Sequence, residues 1–419
     1  MSDETLNARS SGPIPQDVID IIIDTVIDTI DDDQRTLHAL ALVSTSCLVP
    51  SRRRAFTFIR LLTFNSRAFL RLLESPLCTL RHCRRSTVII DGFDFDDPEE
   101  DGDDDDANSE DLYDGADDSQ GHRWLARALA LPPHTFAFVH HLSIDIGYYP
   151  AEISQTLAAQ LPLIFSSITT LSLQWWTARG AVEIARFAAP YRHLQRLVID
   201  YSVIANVGAQ FDAPASALAD APPPPPGLRE LEEGREMRIA GRLAAWMLRA
   251  RPPVKLERLV LWGWDYDIEG RLEDYLVCAG DSLRELCINE IYKTRTMDAL
   301  VAGIPWTSLI VLEKFTLNYD YSINDTQILT LLRALRALPA LRHLALEGHL
   351  IGMLASSRNL KTVPQFDQLL VSQFDQLFRP PGFPELRTLS LIMMMVNSVW
   401  ETRHEVYPVC TARGILVQK

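Results

Sequence analysis

The chain holds six cysteines in 419 residues but no C-x-x-C pair. Four of the six sit among apolar neighbours inside predicted elements. A zinc or disulfide framework is therefore excluded, and buried or half-buried free thiols are expected. Long apolar runs are missing too. The longest, such as residues 389–396, fall far short of the roughly 18 to 20 residues that span a membrane. Residues 1–13, MSDETLNARSSGP, carry no apolar signal core, so a soluble cytoplasmic or nuclear protein is expected. The sequence has no P-loop, dinucleotide fingerprint, G-x-S-x-G, H-E-x-x-H or kinase signature. Its ten histidines are scattered, and the adjacent pair His140 and His141 would point to opposite faces of a strand. No enzymatic activity, metal or cofactor is expected.

Acidic charge is concentrated in one stretch. Residues 91–118 hold 16 acidic side chains and no Lys or Arg, which leaves 39 of the 55 acidic residues beside all 40 basic ones elsewhere. The net charge of −15 thus belongs to a single tract, expected to be a disordered loop. The near-neutral remainder excludes a nucleic-acid-binding surface.

What the chain does have is a recurring apolar skeleton. In residues 255–264, KLERLVLWGW, it runs Leu256-x-x-Leu259-x-Leu261. Eight copies are read, with middle residues Leu142, Leu171, Leu197, Leu259, Leu286, Phe315, Leu344 and Leu389. The steps between them are 29, 26, 62, 27, 29, 29 and 45 residues, so two steps contain something extra. A further copy, Cys83-x-x-Ser86-x-Val88, is degenerate. The alternation that ends each copy suits a short strand with one buried face. Helical spacing returns between copies. Ile328, Leu331, Leu332, Leu335 and Leu338 share one face behind a capping box of Asn324 and Gln327, and residues 181–189 and 272–279 read similarly. This period and pattern are the leucine-rich-repeat signature. They predict an α/β fold in which stacked repeats form a curved solenoid with a parallel sheet on its concave face.

Side chains beside the buried leucines point out onto that face. They are Asp145, Gln174, Trp176, Asp200, Arg258, Trp262, Trp264, Asn289, Asn318 and Glu347, followed by Asp320 and His349. Tryptophan beside amides and charges is the chemistry of a protein-binding hot spot, so these are the candidate target-binding residues. The run Pro222 to Pro226 is expected as a stiff extended surface loop, residues 228–251 as helix, and the tail 406–419 as a terminal cap. The near-duplicate segments QFDQLL (365–370) and QFDQLF (373–378) place Phe366, Leu370, Phe374 and Phe378 on one helical face.

Residues 14–60 differ in kind. Val18, Ile19, Ile22, Ile23 and Val26 follow Pro15 at helical spacing, Leu37, Leu40, Ala41 and Val43 begin a second helix, and Phe56 and Ile59 end a third. A three-helix bundle this small buries little by itself and calls for a partner. The order Ile14-Pro15, Val18-Ile19, Ile22-Ile23, Leu37, then Ala41-Leu42-Val43-Ser44, Ser51-Arg52-Arg53 and Phe56 resembles the F-box and F-box-like pattern. Cys47 stands where tryptophan is usual, and Ala55 where leucine is. The resemblance implies docking onto the Skp-type adaptor of a cullin-RING ubiquitin ligase through Ile14, Pro15, Val18, Ile19, Ile22, Leu42 and Val43.

The expected organisation is a disordered segment 1–12, an F-box-like bundle 13–60 and a linker with a degenerate repeat 61–90. An acidic loop 91–120 and a solenoid 121–419 follow, with insertions near 205–230 and 351–381. The resemblance implies a non-catalytic substrate-recognition subunit whose solenoid holds a target protein, with neither nucleic acid nor membrane as partner. A leucine-rich-repeat scaffold that engages no ligase is the alternative.

Overall fold

The computed structural model describes residues 15–16, 18–19, 21–23, 33–55, 58–61, 71, 86–91, 133–145, 151–174, 181–200, 221–234, 243, 246–262, 272–291, 293–319, 323–348, 373–395, 398–400 and 408–417. The acidic tract beyond Asp91 and the first of the duplicated segments lie outside them.

One sheet runs through the whole chain in sequence order. Its strands are β1 (Phe58–Leu61), β2 (Ser86–Asp91), β3 (Val139–Asp145), β4 (Thr170–Gln174), β5 (Arg196–Asp200), β6 (Glu230–Glu233) and β7 (Arg258–Trp262), continuing with β8 (Glu285–Ile291), β9 (Lys314–Tyr319), β10 (His343–Gly348) and β11 (Thr388–Met395). Each pairs in parallel with the next. Corresponding leucines therefore stack. Leu142 is in register with Leu171 and Leu171 with Leu197, and all three are fully buried. Each such side chain contributes about 1.5–3 kcal/mol once its neighbours cover it. A single cluster of buried residues extends from Ile59 to Ile415.

The register corrects three expectations. Ile59 does not end a third helix; it is the middle residue of β1, aligned with Val88. The β2 motif lies two residues later than read, since Val88 aligns with Leu142 and Ile90 with Ile144. Residues 228–251 are not one helix. Leu228 and Leu231 are buried, and β6 fits between β5 and β7. The 62-residue step is thus two repeats, and only the inner part of the 205–230 insertion is extra. Helix resumes at Leu243, Trp246 and Met247, all buried. The Trp246 indole N–H donates to the Pro222 carbonyl at 2.7 Å, which holds the polyproline run against the repeat.

The helices lie between strands. Ahead of the sheet are α1 (Asp33–Val43) and α2 (Thr45–Ala55). Within it are α3 (Ala151–Ile164), α4 (Ala181–Ala188), α5 (Leu272–Ala279), α6 (Thr294–Gly303) and α7 (Asp325–Leu335), and α8 (Pro408–Ala412) follows. The capping box is present as expected: the Gln327 N–H donates to Asn324 Oδ1 at 2.9 Å and the Asn324 N–H to Gln327 Oε1 at 3.2 Å. Gln327 Nε2 then donates to Asp298 Oδ1 at 2.6 Å and ties α7 to α6.

The tail closes the last repeat. β13 (Leu416–Val417) pairs with β11, as does antiparallel β12 (Ser398–Trp400). The second of the duplicated segments supplies Phe378, whose ring lies 5.2 Å from Phe374 and 5.1 Å from Phe383.

Candidate functional site

Two surfaces stand out, a helical one at the start and the sheet face opposite the core. Residues 16, 18–19 and 21–23 are helical, and α1 and α2 follow. Ile23 is buried with Ile19, Leu40 and Cys47 around it. The other apolar residues point outward: Val18 is 40% exposed, Ile22 47%, Leu42 88% and Val43 71%. Ile21, not singled out from the sequence, is 64% exposed. Pro15 is exposed too. Ile14 lies outside the described residues. Among the described residues of the predicted docking set, Ile19 alone turns partly inward.

On the sheet, strands about 4.8 Å apart stack more closely than the helices and loops behind them, so the sheet lines the inside of the curve. Its outward residues form three rows. The first row precedes the middle leucine and reads His141, Thr170, Arg196, Glu230, Arg258, Glu285, Lys314 and His343 from β3 to β10. Its centre alternates in sign. Arg196 meets Glu230 at 3.7 Å and Glu232 at 2.7 Å, and Arg258 reaches Glu230 at 3.8 Å, Glu232 at 3.5 Å and Glu285 at 3.4 Å. Lys314 closes the ladder on Glu285 at 2.8 Å. A parallel set one residue earlier pairs Arg229 with Glu257 at 3.0 Å, Arg284 with Glu313 at 2.5 Å, and Arg342 with Glu313 at 3.5 Å.

The ladder has a pH signature. Burial raises the Glu285 pKa, but the hydrogen bond and charge of Lys314, with Arg258 beside it, outweigh that and hold it below the usual carboxylate range. A lowered folded-state pKa means that the stabilisation is present above the unfolded value of about 4.3 and is lost as pH falls through the folded value. Glu285→Gln is expected to cost roughly 1 kcal/mol at pH 7. The difference from the parent in thermal midpoint should shrink as pH falls below about 4.3 and vanish once Glu285 is protonated in the folded state too. At the β3 end, burial first and Arg196 second lower the pKa of His141.

The second row lies between the buried positions and holds Ser143, Ser172, Val198, Glu232, Val260, Cys287, Thr316 and Ala345. Burial pushes the Cys287 thiol up to about 11, so it is protonated at neutral pH.

The third row follows the buried pair and carries most of the residues picked from the sequence. Asp145, Gln174 and Asp200 are in register, as are Trp262 with Asn289 and Asn318 with Glu347. Gln174, Asp200, Trp262, Asn318 and Glu347 are half-buried. Arg258 belongs to the ladder instead. Asn289 is a correction. It keeps its register with Trp262 and lies on the same face as Cys287, but it is buried there and accepts from Cys287 Sγ at 3.4 Å. Trp176, Trp264, Asp320 and His349 lie outside the described residues. The sequence reading missed Arg196, Glu230, Glu232, Glu285 and Lys314.

Parallel strands in chain order, with L-x-x-L-x-L aligned from copy to copy, decide the fold type. These are leucine-rich repeats. No protein-family model matches the chain, and no curated protein matches it in sequence. Two solved structures of similar kind are human trophoblast glycoprotein (Wnt-activated inhibitory factor 1) and an internalin of Listeria monocytogenes. The first is 16% identical over 59% of this chain and 78% of its own, at a TM-score of 0.33. The second is 14% identical over 84% and 87%, also at 0.33. Among the described residues of this leucine-rich-repeat chain no group of His, Cys, Asp and Glu is placed to hold a metal ion. No described helix is long and apolar enough to cross a membrane.

Proposed function

We propose that the protein is a non-catalytic binding receptor, with its N-terminal helices docking onto a Skp-type adaptor of a cullin-RING ubiquitin ligase and its solenoid holding the target. The observation that carries the docking half is the outward set Val18, Ile22, Leu42 and Val43 around one buried isoleucine. Aliphatic side chains left this open on a small helical unit mark a protein contact. The open sheet face, with Trp262 among amides and carboxylates, supports the target-holding half. The receptor would act through proximity by raising the local concentration of a target lysine beside the conjugating enzyme.

Co-purification of the full chain with a Skp-type adaptor tests this. Ile22→Glu with Leu42→Glu is expected to weaken capture by at least about 100-fold, because two charges would be buried in an apolar contact. Both residues are exposed, so the thermal midpoint should hold. An adaptor that ignores the parent chain would leave a binding scaffold without a ligase.

A further inference from the structure

The rim from which the strands start carries charges that alternate in sign until the last step. One residue ahead of the first row, neighbouring positions read Arg229, Glu257, Arg284, Glu313, Arg342 and Arg387 from β6 to β11, and each after the first donates its backbone N–H to the carbonyl of the one before. Up to Arg342 every arginine has a carboxylate partner, with Glu313 serving both Arg284 and Arg342. The next step puts arginine beside arginine. Arg387 is exposed, stands about one strand spacing of 4.8 Å from Arg342, and is ion-paired to no carboxylate of the described residues. The first row supplies none, since His343 and Thr388 stand there, hydrogen-bonded to each other at 2.7 Å. Like charges directly opposite on neighbouring strands destabilise a sheet.

More arginines surround this corner. Arg333 lies in the last turn of α7 and Arg336 at its C-cap, and Arg379 follows the helical residues 373–377 of the next repeat. Arg336 rests on the turn over 379–382, where a Cβ on Gly382 would come within 3.2 Å of its Nε. The Gly382 N–H donates to the Arg379 carbonyl at 2.7 Å, and Arg413 holds the same turn through the carbonyls of Phe378 and Gly382. The arginines thus stand on a fixed backbone. Arg333, Arg336, Arg379 and Arg387 are all exposed, and none is ion-paired among the described residues. A cation at a helix C-terminus is favourable in itself, which accounts for Arg333 and Arg336 but not for Arg387 beside Arg342. From 377 to 388 the one carboxylate is Glu385.

We propose that this corner, the strand-start ends of the last two repeats, docks an acidic segment of a partner protein, with Asp or Glu side chains taken by Arg336, Arg379 and Arg387. It adds a contact surface to the receptor described above and does not depend on adaptor docking. Planar guanidinium groups hold carboxylates through paired hydrogen bonds, and the donors of these three are exposed. A carboxylate set between Arg342 and Arg387 turns their repulsion into attraction. The surface favours protein over nucleic acid. The rings of the turn, Phe378 and Phe383, are buried and offer bases no stacking face, and a chain of net charge −15 opposes a long polyanion.

The test uses the full chain and labelled extended peptides of about 12 residues, with Glu, Lys or Ser at every second position and Ser elsewhere, followed by fluorescence anisotropy. The Glu peptide should bind, and more weakly as salt rises. Arg379→Glu with Arg387→Glu should weaken it by at least about tenfold. Both side chains are exposed, so the thermal midpoint should hold. Should that variant not fold, Arg387→Gln alone should show about a threefold loss. Arg192→Glu with Arg251→Glu makes the same change of charge at exposed positions ahead of β5 and β7. These lie farther off than the roughly 8 Å over which charge acts at physiological salt, and should change binding by less than about threefold. Glu-peptide binding that survives the Arg379 and Arg387 reversal, or that falls equally with the Arg192 and Arg251 reversal, overturns the proposal. So does equal binding of the Lys or Ser peptide. Tighter binding of an oligothymidine of the same length, lost on the same reversal, would assign the surface to nucleic acid instead. A Glu peptide that binds only after residues 94–118 are deleted would assign it to the chain's own acidic tract, and either result overturns the proposal. Failure of the Glu peptide to bind both of these forms of a chain that still captures the adaptor overturns it and leaves docking intact.

Discussion

Phe315→Ala lowers the free energy of unfolding by about 3–5 kcal/mol, the range for truncating a fully buried aromatic residue. Phe315 is the middle residue of β9, is fully buried, and meets the Trp306 ring edge-on at 5.5 Å. Its register partners are Leu286 on one side and Leu344 on the other, both buried. The cavity would open at a junction of three repeats, where none can relax independently of the other two. Guanidinium unfolding followed by circular dichroism reads the loss. Arg258→Ala, on the opposite face of the same sheet, should cost only about 1 kcal/mol, because its side chain is 29% exposed and its pairs are screened. A ladder variant as damaging as Phe315→Ala would mean that ion pairs rather than stacked apolar side chains hold the repeats. In a solenoid the loss can also split the transition, with the repeats beyond β9 melting first.

The solenoid is legible in the sequence wherever all three apolar positions are filled, and it goes unread where one is not. β6 carries Glu233 at the third position, 1% exposed, where every other copy from β3 to β11 has Leu or Ile. A carboxylate at a core position breaks the pattern that a search for leucines follows. That miss concealed a second feature. With β6 left out, Arg196 and Arg258 look like neighbours of the same sign; with Glu230 between them the row alternates. β1 was hidden differently. Ile59 falls at helical spacing after Phe56 and at the middle position of a repeat at once, and the register with β2 decides for the repeat. At the N-terminal helices helical spacing alone does not say which of Ile19, Ile22 and Ile23 turns inward; Ile23 is the buried one. Asn289 sits on the expected face but is covered, because the period of two tells which face a strand residue takes and not how far its neighbours cover it.

Asp375→Ala releases the C-terminal clasp. The carboxylate is 5% exposed and accepts the N–H groups of Val409 at 3.0 and 3.1 Å and of Cys410 at 3.1 Å, at the start of α8. Arg413 completes the clasp from the other end of α8, donating to the carbonyls of Phe378 at 2.6 Å, Gly382 at 3.1 Å and Phe383 at 2.9 Å. Hydrogen bonds to a buried charge are worth about 1.5–3 kcal/mol. Losing this set should raise the population of the opened tail by roughly 10- to 150-fold. Cys410 reports the opening directly. Burial, and then the hydrogen bond and charge of Asp375, push its thiol up to about 12, so in the closed state it is protonated and covered. Alkylation of Cys410, followed by mass spectrometry of its peptide, should accelerate in the variant by about that factor. Asp375→Asn separates the two causes. The amide keeps one acceptor oxygen without the charge, so an intermediate rate would assign the clasp to hydrogen bonds strengthened by charge. A rate equal to that of the alanine variant would assign it to the charge itself, and an unchanged rate to Arg413 and the Phe378–Phe383 stack.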